Sequence, residues 1–174
     1  RLDQVKGSIN IGFMDAMEEG PLAGEPVRGV KIKLTDASIH EDPVHFGPGQ
    51  MIPATRRGIF AAMLSANCGL LEPLLKINIK IPVEVVGTVS SIIAQKRGKI
   101  LSVEQREYLT YVVGELPASE TFDISEVMRS ATAGRAFWGT EFSRWGVVPS
   151  NVQPQIVRDL RQRKGLSPEP PSVN

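Results

Sequence analysis

Both histidines of the chain, His40 and His45, fall in one run, HEDPVHFGPGQ over residues 40–50, with Glu41 and Asp42 beside them. Imidazole and carboxylate are common ligands for zinc and other transition ions, so this set raises metal chemistry first. On a helix the spacing would bring two ligands to one ion. Pro43 and the flanking glycines exclude that helix, and a loop alone does not make ligands converge. A metal-dependent enzyme using His40 and His45 therefore stands as an alternative to a surface loop. A hydrolase with His45 as general base would also need a nucleophile and an orienting group, and no nucleophile motif accompanies it. The phosphate-binding pattern G-x-x-x-x-G-K-[ST] is absent, since Gly98-Lys99 is followed by Ile100. GRAFWG at 134–139 precedes an expected strand, where a dinucleotide fingerprint would open a helix. No catalytic residue and no metal site is assigned.

The second kind of chemistry open to these residues is contact with a phosphate backbone. Basic residues cluster at Arg56-Arg57, at Lys96, Arg97 and Lys99, and at Arg158, Arg161, Arg163 and Lys164, each near an element end. RNA contact is the favoured reading for Lys96, Arg97 and Lys99, while for the C-terminal group a solvated face and an RNA face remain equally open. Phe137, Trp138, Phe142 and Trp145 could stack on bases, but aromatic side chains on a closing strand are read as core. The net charge of +1 is too small to mark a nucleic-acid binder by its overall field. Cys68 is the only cysteine, which excludes an internal disulfide and a cysteine zinc site and fits a reducing, cytoplasmic setting. No apolar run approaches the ~18 residues needed to span a bilayer, so no membrane role is expected.

The elements that would position these residues follow from periodicity. Val5, Ile9, Phe13 and Met17 share a helix face that stops at Gly20-Pro21, although Gly7 and Gly12 each cost ~1 kcal/mol within it. Val30, Ile32 and Leu34 alternate with Lys31, Lys33 and Thr35 as a half-buried strand would. That strand leads into the 40–50 run, whose prolines and glycines predict a stiff, ordered loop. A helix from about Pro53 to Ala66 follows, with Ile59, Phe60, Met63 and Leu64 on its apolar face. The loop is expected to hang between strand and helix.

A domain boundary is expected near Gly69, giving segments 1–69, 70–150 and 151–174. Leu75, Ile77, Ile79 and Ile81 form the clearest strand; a helix through Val85–Ile93 and strands at 100–103 and 108–116 come next. Asp123 and Glu126 suggest a capping box for a helix ending at Gly134, and 135–148 closes the series as a strand. This β-α-β-β-α-β order is the ferredoxin-like arrangement, so the fold class is α+β. A last helix follows Pro154, and SPEPPSVN is expected to be a mobile tail. The start at Arg1, without an initiator Met, suggests a fragment of a longer protein.

GPLAGEPVRGVKIKLTDASIHEDPVHFGPGQMIPATRRGIFAA, LLEPLLKINIKIP, VVGTVSSIIAQKRGKI and MRSATAGRAFWGTEFSRW followed by RKGL resemble the C-terminal part of the archaeal-type elongation factor 2 family. The resemblance covers nearly the whole chain. It implies the later part of an S5-like domain IV (the type seen in ribosomal protein S5) and a ferredoxin-like domain V. It also implies GTP-driven translocation, with GTP and magnesium bound by a G domain outside these residues. The family's diphthamide histidine lies in H-x-x-x-x-H-R-G and falls on His45, with Phe46 where Arg is usual. His40, Glu41, Asp42, Pro43, Val44, Phe46, Gly47, Pro48, Gly49 and Gln50 would then form a tip at the decoding site. Implied partners are the ribosome with its ribosomal, transfer and messenger RNA, the diphthamide-synthesis enzymes and an ADP-ribosylating toxin. A stand-alone RNA-binding protein remains the other alternative.

Overall fold

The computed structural model describes residues 2–172, which form two compact units: Arg1–Leu70 with Pro149–Asn174, and Leu71–Val148. The last two residues of the expected tail lie outside the described residues.

In the first unit, α1 (Leu2–Glu18) packs on α2 (Pro48–Ser65). Ala16, Ile59 and Met63 form its buried centre, covered by Phe13, Met17, Val27, Ile32 and Phe60. Gly12, expected to be a weak point of α1, is buried at the helix crossing; a Cβ there would lie 2.6 Å from the Ile52 carbonyl oxygen and 2.8 Å from Thr55 Cβ. Its missing side chain is what lets the two backbones approach.

Two expectations are corrected in this unit. Residues 30–35 form no strand, although Ile32 reaches the core while Val30 and Leu34 are exposed. Alternation can mark one lined face, but a strand needs a ladder partner, and none pairs with this segment among the described residues. The helix after the loop begins five residues early, at Pro48, with Gly47 as N-cap and Pro53 inside it. Pro48 is tolerated because first-turn N–H groups have no partner within a helix, whereas Pro53 lies inside the helix and costs it the bond an N–H there would make to the Gly49 carbonyl.

The C-terminal segment groups with the first unit. In α5 (Gln153–Arg163), Arg161, for which the sequence left a solvated and an RNA face equally open, is on neither but is buried. Its guanidinium donates to the carbonyls of Ser167, Pro21 and Leu22. Lys164 pairs with Glu25 and donates to the Gly24 carbonyl, and Arg158 pairs with Glu169 of the expected mobile tail. The described tail is thus tied back by Ser167 and Glu169.

The second unit is one antiparallel sheet, order β2-β3-β1-β4, built from β1 (Leu71–Ile81), β2 (Lys99–Arg106), β3 (Leu109–Pro117) and β4 (Phe137–Val147). With α3 (Val86–Gln95) and α4 (Ile124–Thr132) it has the ferredoxin-like order read from the sequence. Ile77, Ile79 and Ile81 of β1 meet Val89, Ile92 and Ile93 of α3 and Ile124 and Met128 of α4 in a closed core. Each such burial contributes roughly 1.5–3 kcal/mol. Trp138 packs on this core, but Phe137, Phe142 and Trp145 are exposed, against the expectation that all four aromatics are core. β4 is an edge strand, and its residues alternate between the helix-covered and the open face of the sheet. The capping box also fails: Asp123 occupies the N-cap, but its side chain makes no cap bond and instead accepts from Lys96.

Gly12 and Gly7 give opposite expectations for one substitution. Gly7→Ala, whose Cβ would meet nothing within 4 Å, should stabilise α1 by about 0.5–1 kcal/mol through helix propensity. Gly12→Ala should destabilise the first unit by about 1–3 kcal/mol, because α2 must move away. Urea unfolding of both variants, with amide exchange in α1 and α2, measures this.

Candidate nucleic-acid interface

The 40–50 run is built by local hydrogen bonds. The Asp42 N–H donates to His40 Nδ1 at 3.0 Å, and Asp42 Oδ1 accepts from the Val44 N–H at 3.0 Å, capping a 3-10 turn at Pro43–His45. Within that turn the His45 N–H donates to the Asp42 carbonyl and the Phe46 N–H to the Pro43 carbonyl. Gly47 then caps α2, its carbonyl accepting from the N–H groups of Gln50 and Met51. The expected loop is therefore a capped turn leading directly into a helix, so Pro48, Gly49 and Gln50 are helical.

This geometry brings His40 and His45 together, ring centroids 4.7 Å apart and edge to face. Both are exposed, as are Glu41, Asp42, Pro43, Val44, Pro48, Gly49 and Gln50; Phe46 and Gly47 are half-buried. Phe46 thus turns partly inward. Among the described residues no three His, Cys, Asp or Glu side chains converge as a metal-ligand set. His40 Nδ1, one of the nitrogens such a site would need, already accepts a backbone hydrogen bond. The positive end of the α2 dipole lies at Gly47, close to the His45 turn, and favours anions there.

The basic clusters are more occupied than their sequence suggests. Arg56 pairs with Glu19 and lies over the Phe60 ring, whereas Arg57 is exposed. Lys96 pairs with Asp123 and Lys99 with Glu115. Arg97, in the left-handed backbone region at φ 54°, makes a bidentate bond to Glu72 and a further bond to Glu120. The Glu72 hydrogen bond, opposed by partial burial and aided by Glu120, raises the Arg97 pKa further above its already high range. Periodicity placed these cations at a helix end, but ion pairing depends on distant carboxylates that one sequence does not align.

Glu115, 5% exposed, binds Arg144, Ser143 and Lys99. The Arg144 hydrogen bond chiefly holds its carboxyl below the usual range, opposed by burial. A carboxyl whose folded pKa is depressed adds stability that is present above its unfolded pKa and lost as pH falls through its folded pKa. The second unit should accordingly weaken as pH drops below about 4. Glu115→Gln should flatten that part of the profile in pH-dependent urea unfolding. Arg97→Ala should cost the second unit about 1–3 kcal/mol by leaving Glu72 unpaired, while Lys96→Ala should change it by about 0.5 kcal/mol. Thermal unfolding of both variants separates a structural role from a free RNA contact, which would leave stability unchanged.

Comparison with known proteins places this geometry in context. Residues 2–67 match the family model of elongation factor G, domain IV, and residues 69–156 that of the elongation factor G C-terminus. Elongation factor 2 of Staphylothermus marinus is 55% identical over 170 residues, 98% of this chain and 23% of the relative. That of Desulfurococcus amylolyticus is 54% identical over 170 residues, again 98% and 23%. That of Aeropyrum pernix is 48% identical over 173 residues, 99% and 24%. The chain spans about a quarter of the length of the curated relatives it matches.

Proposed function

The chain belongs to the elongation factor 2 family of translation factors, and from that premise we propose that it is the ribosome-engaging part of a translocation factor, with the His45 turn as its probing tip. The observation that carries this reading is the construction of the tip: a capped turn, exposed at His45 and fixed to the start of a long helix. Contacts with RNA reward a surface that is already ordered, because less conformational freedom is lost on binding. Asp42 and the two prolines supply that order here. His45, exposed at the end of the turn, is open to the diphthamide-synthesis enzymes and, once modified, to an ADP-ribosylating toxin.

In this reading GTP and magnesium act in a G domain outside these residues, and the chain itself performs no covalent step. Its part is mechanical: the tip enters the decoding site and holds the codon–anticodon pair while messenger and transfer RNA move. The second unit gives a further ribosome contact. The setting is the cytoplasm; among the described residues no helix is long and apolar enough to cross a membrane.

A diphthamide side chain on His45 brings a cation to the tip, which offsets the charge missing at Phe46. Mass spectrometry of the His45 peptide from the native host should show the diphthamide mass, and an unmodified peptide would remove this part of the reading. In the full-length factor, deleting residues 41–46 should leave GTP hydrolysis intact while slowing single-turnover translocation by an order of magnitude or more. Unchanged translocation would overturn the tip assignment.

A further inference from the structure

The open face of the second unit's sheet holds a groove that the tip reading does not use. In cross-strand register, Tyr111 of β3, Lys80 of β1 and Phe137 of β4 form one row; Val113, Asn78 and Gly139 form the next. These residues line a groove of about 290 Å³, near the lower end of small-ligand clefts. Gly139 makes the depression: a Cβ there would meet nothing within 4 Å, so the floor between Phe137 and Glu141 is empty.

The charges on this face are unevenly matched. Glu104 is bound by Arg106, Glu115 by Lys99 and Arg144, and Glu141 by Lys76 and the Asn78 amide N–H. Lys80 has no carboxylate partner among the described residues; its Nζ lies 5.4 Å from the centre of the Tyr111 ring, where Arg106 also approaches to 5.3 Å. Tyr111 thus gathers two cations at one end of the groove. Phe137, at the other, is 73% exposed, and no cation or second ring meets it among the described residues. Its ring face is therefore open to stacking.

An exposed flat ring, an unpaired lysine and an empty floor with an amide beside it match the chemistry of one unpaired nucleobase and its phosphate. We propose that this groove binds single-stranded RNA, one base stacking on Phe137 over Gly139, with the Asn78 amide oxygen, left over from its bond to Glu141, at the base edge and Lys80 at the phosphate. The face suits this better than a protein strand, because a strand added to the sheet would pair along the outer edge of β4 and leave Lys80 and Tyr111, one and two strands further in, uncovered. A duplex would not serve, since its bases are not free to enter.

The inference rests on the sheet and not on the His45 turn, and its test keeps the two apart. Fluorescence anisotropy of fluorescein-labelled decauridylate with the full chain at low salt should show binding. Phe137→Ala should weaken it about tenfold and Phe137→Trp restore it, because stacking tolerates any aromatic ring. Gly139→Val, which fills the floor without removing a contact, should abolish it. Lys80→Ala should lower the slope of log affinity against log salt by about 0.7, one counterion on a single strand. His45→Ala should bind as the unchanged chain does, and duplex RNA should compete poorly. Absence of binding would overturn the proposal and assign the face to a protein cover. Equal binding by Phe137→Ala and Gly139→Val, or loss of binding in His45→Ala, would overturn it as well. An unmodified His45 would leave all these outcomes as stated.

Discussion

The close approach of α1 and α2 at Gly12 is the constraint on which the first unit depends. A helix crossing that places a carbonyl oxygen where a Cβ would stand, 2.6 Å away, permits glycine and little else. The crossing lies at Ile52 and Thr55, within two turns of the start of α2, so it fixes the very end of the helix from which the His45 turn projects. Backbone contact is stiffer than contact through long side chains, because there are fewer rotamers through which it can relax. The Asp42 cap then sets the turn against the helix start, and the exposed imidazole inherits its position from a buried hydrogen atom of glycine.

The second unit is organised differently. Its helix-covered face is a closed aliphatic core, and its open face is held by ion pairs between strands, Lys99–Glu115 and Lys76–Glu141 across neighbours and Arg144–Glu115 over the intervening β1. Glu115 is the centre of that polar arrangement, taking Lys99 from one strand and Arg144 from another. Charged pairs on a sheet surface contribute modestly to stability, but they specify register, since a slip of one residue would send each partner to the opposite face. Gly146 has a comparable role beside the β-bulge in the β1–β4 pairing, where a Cβ would lie 2.6 Å from Leu74 Cδ1.

How far the sequence could be read depended on whether a pattern is local. The ferredoxin-like unit was legible because Leu75 to Ile81 alternate strictly and the helices announce their ends with Gly98 and Gly134. The first helix was legible from Val5, Ile9, Phe13 and Met17. Residues 30–35 misled because alternation is silent about a ladder partner, and of the alternating three only Ile32 packs inward. Pro48 misled because proline breaks nothing where no N–H is needed, and Pro53 because a helix can run through a proline at the cost of one hydrogen bond. At the candidate sites, the exposure of the His45 turn could be foreseen from Pro43 and Gly47, but the inward turn of Phe46 could not. The partners of Lys96, Arg97 and Lys99, and the burial of Arg161, are contacts between distant residues and carry no local signature. The same holds for the exposed face of Phe137, which differs from half-buried Trp138 next to it only by the parity of the strand.

The tie from Arg161 to the carbonyls of Pro21 and Leu22 joins residues separated by most of the chain, and the whole second unit is encoded between them. A polypeptide emerges from its N-terminal side, so this ordering imposes a sequence of events during synthesis. The sheet and its two helices can close as soon as Val148 has appeared, because every core contact they need is already present. The helix pair that carries the His45 turn has no such independence: its carbonyls at 21 and 22 wait for a guanidinium made near the end. The unit that carries the exposed turn is begun first and finished last.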